Sequence, residues 1–478
     1  MFCNRIKCFV CLTSKSIFIN ILGYELNSDR IKILDSTINS LMKLAKLKTV
    51  GIIITNSNKT IYQNIYGETN KVNTKSSFVL GSVSKTFTAL ALLYLNIPLN
   101  TTLDKFDLKD YIKEKDAKDI TISELLNHSS GLNSFSSSII SKRGTFSYSN
   151  YGYALLGKII EKESKKSYHD YLDEKIFKPL NMTNTHAKYH KDIIDSYDFL
   201  LGFRTKYPNI KSEFGDGFYI PAGYITSSIE DMGNYLRFYL NKSDANQKYV
   251  SKMTNSNLTV SYNINYGIGM IIEKRNEKIR YYHEGIIASF LSRLVLYPEL
   301  DVGIFIFTNT RDSLCPGLGN EFFNNIENFL IFDSISGINN SSFFYYHFTW
   351  DILFIFILTP PLIYLIFTLK RKIKTRKYFW FKGIKGKIYF GIDLFILVIA
   401  PIIIIIIFYT ADQNLKKRIE MTRDYQFIIF TTSSILFLTF VIKLGYIFFY
   451  NWLLSKYNLG GSNEKIEDLD IDFFNLEQ

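Results

Sequence analysis

Ser82 and Lys85 stand three residues apart in the stretch Phe78 to Leu95, where a short apolar run meets Gly81 and a helical pattern begins. Helical positions at that spacing share a face, so the hydroxyl and the amine would sit side by side in an apolar setting. A hydroxyl beside an amine is a route to an activated serine nucleophile. N–H groups at the start of the helix could stabilise the oxyanion formed on an attacked carbonyl. The same pair also fits an exposed serine with a lysine lying along the surface, because short motifs recur in a chain this rich in both residues. Partners elsewhere in the chain have to decide.

Candidate partners follow in order. Tyr148 and Asn150 lie in a loop before the apolar run Ala154 to Ile160. A phenol and an amide at that spacing suit a proton acceptor and a clamp on a substrate amide; a turn carrying surface aromatics is the alternative. His283-Glu284-Gly285 closes a strand-like run. His128 falls at the end of a short helix rather than opposite an acid, which favours a structural role. His186 and His190 have the spacing of a helix face, but no third ligand or zinc-protease glutamate accompanies them, so they read as surface histidines.

These residues need elements to hold them. Ile31, Ile33, Leu34, Ile38, Leu41, Met42 and Leu44 recur at helical steps, and Val50–Thr55 and Thr60–Tyr66 read as two strands joined at Asn56-Ser57-Asn58. Thr121 to Leu132 reads as a short helix closed by a glycine, and Ala222 to Met232 as a glycine turn followed by a capped helix. Four strand-like runs come next, Tyr266–Ile272, Lys278–His283, Phe290–Tyr297 and Val302–Thr308, and Pro316 to Ile331 reads as a closing helix.

The chain has 478 residues and a net charge of +12, enough for a large core and more than one domain. The charge does not indicate nucleic acid. Nine lysines and arginines between Lys370 and Lys387, with no acid among them, supply most of the excess. They lie between long apolar runs, as a membrane-flanking loop would. Ile352–Leu369, Leu394–Phe408 and Phe427–Ile442 carry no charge, which predicts three transmembrane helices at about 350–369, 389–410 and 427–449 within a membrane domain 345–450. The positive-inside rule then places the loop 370–387 and the acidic tail 451–478 in the cytoplasm and everything before the first span outside. Residues 1–25 resemble a degenerate export signal, with a basic front and a short apolar stretch. Three of the four cysteines lie in the first eleven residues with no fourth ligand nearby, so neither a metal site nor a disulfide framework is indicated.

The three separated signals, Ser82-x-x-Lys85, Tyr148-x-Asn150 and His283-x-Gly285, resemble those of the class C β-lactamase-related serine hydrolases, which include penicillin-binding D-alanyl-D-alanine peptidases, D-aminopeptidases and esterases. The likeness covers about residues 30 to 335 and includes FVLGSVSKTFTA, ITISELLNHSSGL, FSYSNYGYALLGKII, IFKPLNMTNT, AGYITSSIEDM and FIFTNT. It implies an α+β sandwich over 26–338, an antiparallel sheet flanked by helices with a helical lobe, and the site between them. It implies catalysis by Ser82, Lys85 and Tyr148. Ser82 would form an acyl-enzyme, and Tyr148, as a phenolate lowered by Lys85, would take the serine proton. Asn150, His283, Gly285 and Ile286 would bind substrate, with the N–H groups of Ser82 and Ile286 as oxyanion hole. No cofactor and no metal are implied.

One departure bears on substrate. Relatives that hydrolyse β-lactams begin the third motif with Lys, usually followed by Thr or Ser, whereas this chain has His283 and Glu284. A histidine is only partly charged near neutral pH. Weaker selection for carboxylate-bearing β-lactams follows, with a better fit to esters or peptides. The resulting expectation is a multi-pass membrane-anchored serine hydrolase acting on acyl compounds of the cell envelope. A penicillin-binding receptor acylated without turnover and a true β-lactamase are the alternatives. Oligomeric state is not legible.

Overall fold

A computed structural model of the chain describes residues 26–113, 115–200, 203–206, 210–255, 258–287, 289–311, 317–336, 352, 355–368, 383–403, 406 and 423–456. The expected export signal and the acidic tail beyond Lys456 lie outside these residues, as does most of the basic loop. The described residues fall into two compact units. One lies within Met1–Met42, Leu47–Ile194 and Lys211–Asn309; the other within Lys43–Lys46, Asp195–Ile210 and Thr310–Gln478.

The first unit is built on an eight-stranded sheet. In chain order its strands are β1 (Thr49–Thr55), β2 (Thr60–Gly67), β7 (Leu258–Ser261), β8 (Ile264–Tyr266), β9 (Ile271–Arg275), β10 (Lys278–Ile287), β11 (Phe290–Tyr297) and β12 (Val302–Thr308). Across the sheet they run β2-β1-β12-β11-β10-β9-β8-β7, with every neighbouring pair antiparallel. β1, β11 and β12 are buried at every position, because both faces of the central strands are covered. That is why they read as continuous apolar runs without alternation. The expected run Tyr266–Ile272 divides in two: Tyr266 ends β8 and Ile271 begins β9, with Gly269 at φ +71 in the intervening turn.

Helix α1 (Ser28–Leu44) buries Leu34, Ile38, Leu41 and Met42, and Asp35 on it accepts hydrogen bonds from the hydroxyls of Tyr62 and Tyr66 on β2. Two further strands, β3 (Phe78–Val79) and β6 (Thr226–Ser227), form a small ribbon leading into α2 (Ser84–Tyr94). Gly81–Val83 is a 3-10 turn, so Ser82 lies just ahead of α2 rather than inside it. Every residue from Ser84 to Leu93 is buried. Its polar members are therefore tied down: Ser84 Oγ accepts the Ile225 N–H at 3.1 Å, and Thr88 Oγ1 donates to the Pro221 carbonyl at 2.6 Å.

Three more helices frame this centre: α3 (Ile122–Leu126), α4 (Asn150–Ser164) and the short α7 (Ile220–Gly223). Thr121 and Glu124 form a capping box on α3. The helix stops at Leu126, and His128 itself takes a left-handed conformation at φ +61, ahead of Gly131 at φ +75. The closing residue expected there as glycine is thus joined by a histidine. α8 (Ile229–Leu240), capped by Ser228, packs on β1 and β12.

The second unit contains a hairpin of β4 (Tyr197–Leu200) and β5 (Phe203–Lys206), α10 (Gly317–Phe332) and helices at Gly383–Leu394 and Arg423–Lys456. The three expected membrane spans are not reproduced: among the described residues no helix is long and apolar enough to cross a membrane. Parts of 350–369 and 389–410 lie outside the described residues, and a π-helical segment, Phe395–Ile399, interrupts the second run. Lys443, expected at the edge of the third run, lies well inside the helix Arg423–Lys456. It is buried, with Nζ 2.9 Å from both Asp393 oxygens and hydrogen-bonded to the Tyr364 hydroxyl.

Two glycines let the Ser82 turn touch the sheet. A Cβ on Gly81, which sits at φ +59, would fall 2.5 Å from the Ile286 nitrogen, and one on Gly285 would collide with the Leu80 carbonyl oxygen and Ser292 Oγ. Gly285→Ala should therefore cost about 1–3 kcal/mol of stability through overpacking, read as a lowered urea midpoint at unchanged slope. A variant as stable as the parent would show that the contact yields freely.

Candidate active site

Lys85 is fully buried on the first turn of α2 and is the hub of the site. Its Nζ lies 3.1 Å from Ser82 Oγ, 2.7 Å from Asn150 Oδ1 and 2.5 Å from the Ala222 carbonyl. Three elements distant in sequence therefore meet on one nitrogen: the turn before α2, the first residue of α4 and the end of α7. Burial pushes the Lys85 amine well below its ordinary range, because a charge in low dielectric loses its hydration. A neutral amine carries two N–H groups and one lone pair. Asn150 Oδ1 and the Ala222 carbonyl can only accept, so in the neutral form they take the two N–H groups and leave the lone pair for Ser82.

Tyr148 precedes Ser149, the N-cap of α4, whose Oγ accepts the Gly152 N–H at 3.0 Å. Its phenol lies close enough to Ser82 to be influenced by it, and its ring centroid lies 4.8 Å from Lys85 Nζ. Burial of the hydroxyl pushes it up from the ordinary phenol value, and the nearby Ser82 offsets only part of that. The expectation of a phenolate lowered by Lys85 is corrected: burial of the Tyr148 hydroxyl dominates and favours the neutral phenol. Asn150 is held on both sides, its Oδ1 by Lys85 and its Nδ2 by Ser134 Oγ at 3.1 Å.

The third motif lies on β10. Gly285 meets Leu80, and Ile286 brings its nitrogen against Gly81, one residue from Ser82, with its side chain 40 % exposed. This is the proximity an oxyanion hole from the Ser82 and Ile286 N–H groups requires. His283 differs from expectation. It is buried, with Nδ1 2.7 Å from the Glu284 carbonyl and Nε2 2.9 Å from the Tyr266 hydroxyl. A carbonyl only accepts, so Nδ1 carries the proton and Nε2 accepts from Tyr266. Burial above all presses its pKa down to about 3, so the ring is neutral near pH 7 rather than partly charged. The anion introduced by Glu284 is met by Arg293, its register partner on β11. The motif thus offers a substrate no free cation of its own.

Reading the sequence brought Ser82, Lys85, Tyr148, Asn150, Gly285 and Ile286 into the candidate site, and the fold gathers them. It missed Ala222 as a carbonyl acceptor, Ser134 behind Asn150 and Tyr266 behind His283. A backbone acceptor leaves no trace in residue type, and Tyr266 looked like one more strand aromatic. His186 and His190 are half-buried, with rings 4.6 Å apart, and His190 Nε2 lies within hydrogen-bonding distance of Ser77 and Thr226, at 3.1 and 3.0 Å. Among the described residues no group of three or more His, Cys, Asp or Glu could hold a metal ion.

The buried neutral His283 makes stability depend on pH. In the unfolded chain it binds a proton near its reference pKa of about 6.5, but in the folded chain only near pH 3. Between those values the unfolded state holds the extra proton, so stability falls as pH drops below about 6.5. His283→Gln should give a shallower decline from pH 6.5 to 4 in urea titrations. An unchanged slope would mean that the ring is already charged when folded.

Known proteins similar to this chain share its family and fold. The model of the Beta-lactamase family matches residues 34–318. The chain is 26% identical over 360 residues to Protein flp of Staphylococcus aureus (strain NCTC 8325 / PS 47), covering 66% of this chain and 70% of that protein. It is 30% identical over 250 residues to Beta-lactamase-like protein 4 of Dictyostelium discoideum, covering 42% and 44%. The octameric penicillin-binding protein homologue from Pyrococcus abyssi superposes with a TM-score of 0.52 at 24% identity, over 59% of this chain and 73% of that one, and so shares the fold. With its sheet, its helices and more than half its length matched, this chain belongs to the Beta-lactamase family, a family of serine hydrolases.

Proposed function

We propose that the protein is a serine hydrolase that acts through an acyl-enzyme on Ser82. The observation that carries this reading is the buried Lys85 amine, whose Nζ lies 3.1 Å from Ser82 Oγ with Asn150 Oδ1 and the Ala222 carbonyl as its other two partners. Ser82 Oγ attacks an acyl carbonyl, its proton passes to Lys85, and the oxyanion is held by the Ser82 and Ile286 N–H groups. Tyr148, whose hydroxyl lies near Ser82, gives its proton to the departing amine or alcohol and recovers one from Lys85. Water then cleaves the ester by the same groups in reverse. Here Lys85 is the base and Tyr148 the relay, because a phenol pushed toward neutrality is a poor base. Asn150, through its remaining polar edge, orients the substrate amide.

The substrate class is peptide, amide or ester, of D-alanyl peptidase or esterase type. The neutral His283 and the neutralised Glu284 support this over β-lactams, whose carboxylate wants a cation. We also place the catalytic part outside a membrane, anchored through residues 345–450, with the loop 370–387 and the tail inside. The uncharged runs and the nine basic residues of that loop support this placement.

Ser82→Ala should abolish labelling by a fluorophosphonate and lower turnover at least about a thousandfold; residual turnover near that of the parent overturns the acyl-enzyme. Tyr148→Phe should spare hydrolysis of a p-nitrophenyl ester, whose leaving group needs no proton, far more than that of the matching amide. Equal losses would return the base to Tyr148. Turnover of nitrocefin at the rate of the best ester would overturn the substrate class, and a stable adduct without turnover would indicate a receptor. Extraction of the full chain from membranes by alkaline carbonate would remove the anchor from this reading.

A further inference from the structure

We infer that His128 is a positioning residue for Tyr148, holding the phenol beside Ser82 from behind. This rests on the acyl-enzyme reading above, in which Tyr148 moves a proton.

His128 grips the Tyr148 peptide at both ends. Its carbonyl accepts the Ser147 N–H at 2.7 Å, and its ring Nδ1 accepts the Ser149 N–H at 3.1 Å. The ring lies against Tyr148 with centroids 4.2 Å apart and is itself wholly buried among Tyr153, Tyr266 and Phe146. Residues on either side of the phenol are therefore tied to one side chain and one carbonyl, and the phenol packs against that same side chain at a tilt of 34°. Ser149 passes the restraint on, since its Oγ caps α4 and donates to the Asn133 carbonyl at 2.9 Å. Asn150, the acceptor for Lys85, begins that helix.

Two unfavourable features accompany the arrangement. A non-glycine residue is held at φ +61, where Gly or Asn would sit with less strain. Because Nδ1 accepts, the proton of the neutral ring is on Nε2, which has no hydrogen-bond partner among the described residues. A histidine that merely filled space would need neither. A phenylalanine would pack on the phenol as well but could not accept the Ser149 N–H, and an asparagine would accept it but could not pack on the phenol. Only the imidazole does both. Burial holds this ring neutral, so the Nδ1 lone pair stays available.

The test is a double-mutant cycle on the full chain, with turnover of a p-nitrophenyl ester and of the matching amide per site titrated with fluorophosphonate. His128→Gly keeps the left-handed backbone and removes the ring. In the parent it should lower turnover per site about ten- to a hundredfold, the scale of a misplacement near 1 Å, with the same preference between the two leaving groups as Tyr148→Phe. In a Tyr148→Phe background it should cost less than about threefold. His128→Asn, whose Oδ1 takes the place of Nδ1 but which cannot pack on the phenol, should recover only part of the activity and serves where the glycine variant does not fold. Equal losses in both backgrounds overturn the inference, as does a loss confined to the number of titratable sites. If Tyr148→Phe itself costs nothing on either substrate, the role of Tyr148 in the acyl-enzyme reading fails first, and it does so before any His128 variant is read.

Discussion

A lysine with no solvent contact is the constraint on which this structure turns. Burying Lys85 as a cation would cost several kcal/mol in lost hydration, and burying it as an amine still leaves two donors to satisfy. The chain meets both demands with acceptors from elements far apart in sequence, Asn150 at the start of α4 and Ala222 in α7. Once those are fixed, Ser82 has one place to be. Around it every residue of α2 from Ser84 to Leu93 is buried, so the hub cannot relax toward water. The site is rigid because the polar satisfaction of one nitrogen defines the meeting of three segments.

The sheet contributes a second constraint of a different kind. The Ser82 turn approaches β10 so closely that Gly81 and Gly285 have no room for side chains. Close approach of backbone to backbone sets N–H groups from two elements near one point, which an oxyanion site requires and side chains alone do not supply. Gly81 also takes a positive φ, a conformation its own lack of Cβ permits. Packing, hydrogen bonding and backbone sterics thus act on neighbouring residues at once, and a change in any one is felt at Ser82.

Electrostatics give the site its character. Desolvation acts in the same direction on Lys85, Tyr148, His128 and His283, favouring the neutral form of each. The one anion of the third motif is matched across the sheet by Arg293. On the proposed mechanism, a centre of groups held toward their neutral forms would suit attack on uncharged acyl compounds, since no fixed cation in the third motif selects for an anionic substrate. The same four side chains in a wetter cleft would behave as ordinary titrating groups.

Much of this was legible in the residues alone. Ser82 and Lys85 announce themselves by spacing, Tyr148 and Asn150 by their place before an apolar helix, and the strands β1, β11 and β12 by unbroken apolar runs. Local patterns carry such features because periodicity and turn chemistry are local. What the sequence did not reveal is what each group faces. His283 reads as a half-charged ring until tertiary packing surrounds it and Tyr266 donates to it. His128 reads as a helix end until its Nδ1 is seen against Ser149. The Ala222 carbonyl has no residue signature at all. Residue types and spacing determined which chemistry was available; burial and contacts between distant segments, which no local pattern encodes, decided the protonation state and orientation in which it is held.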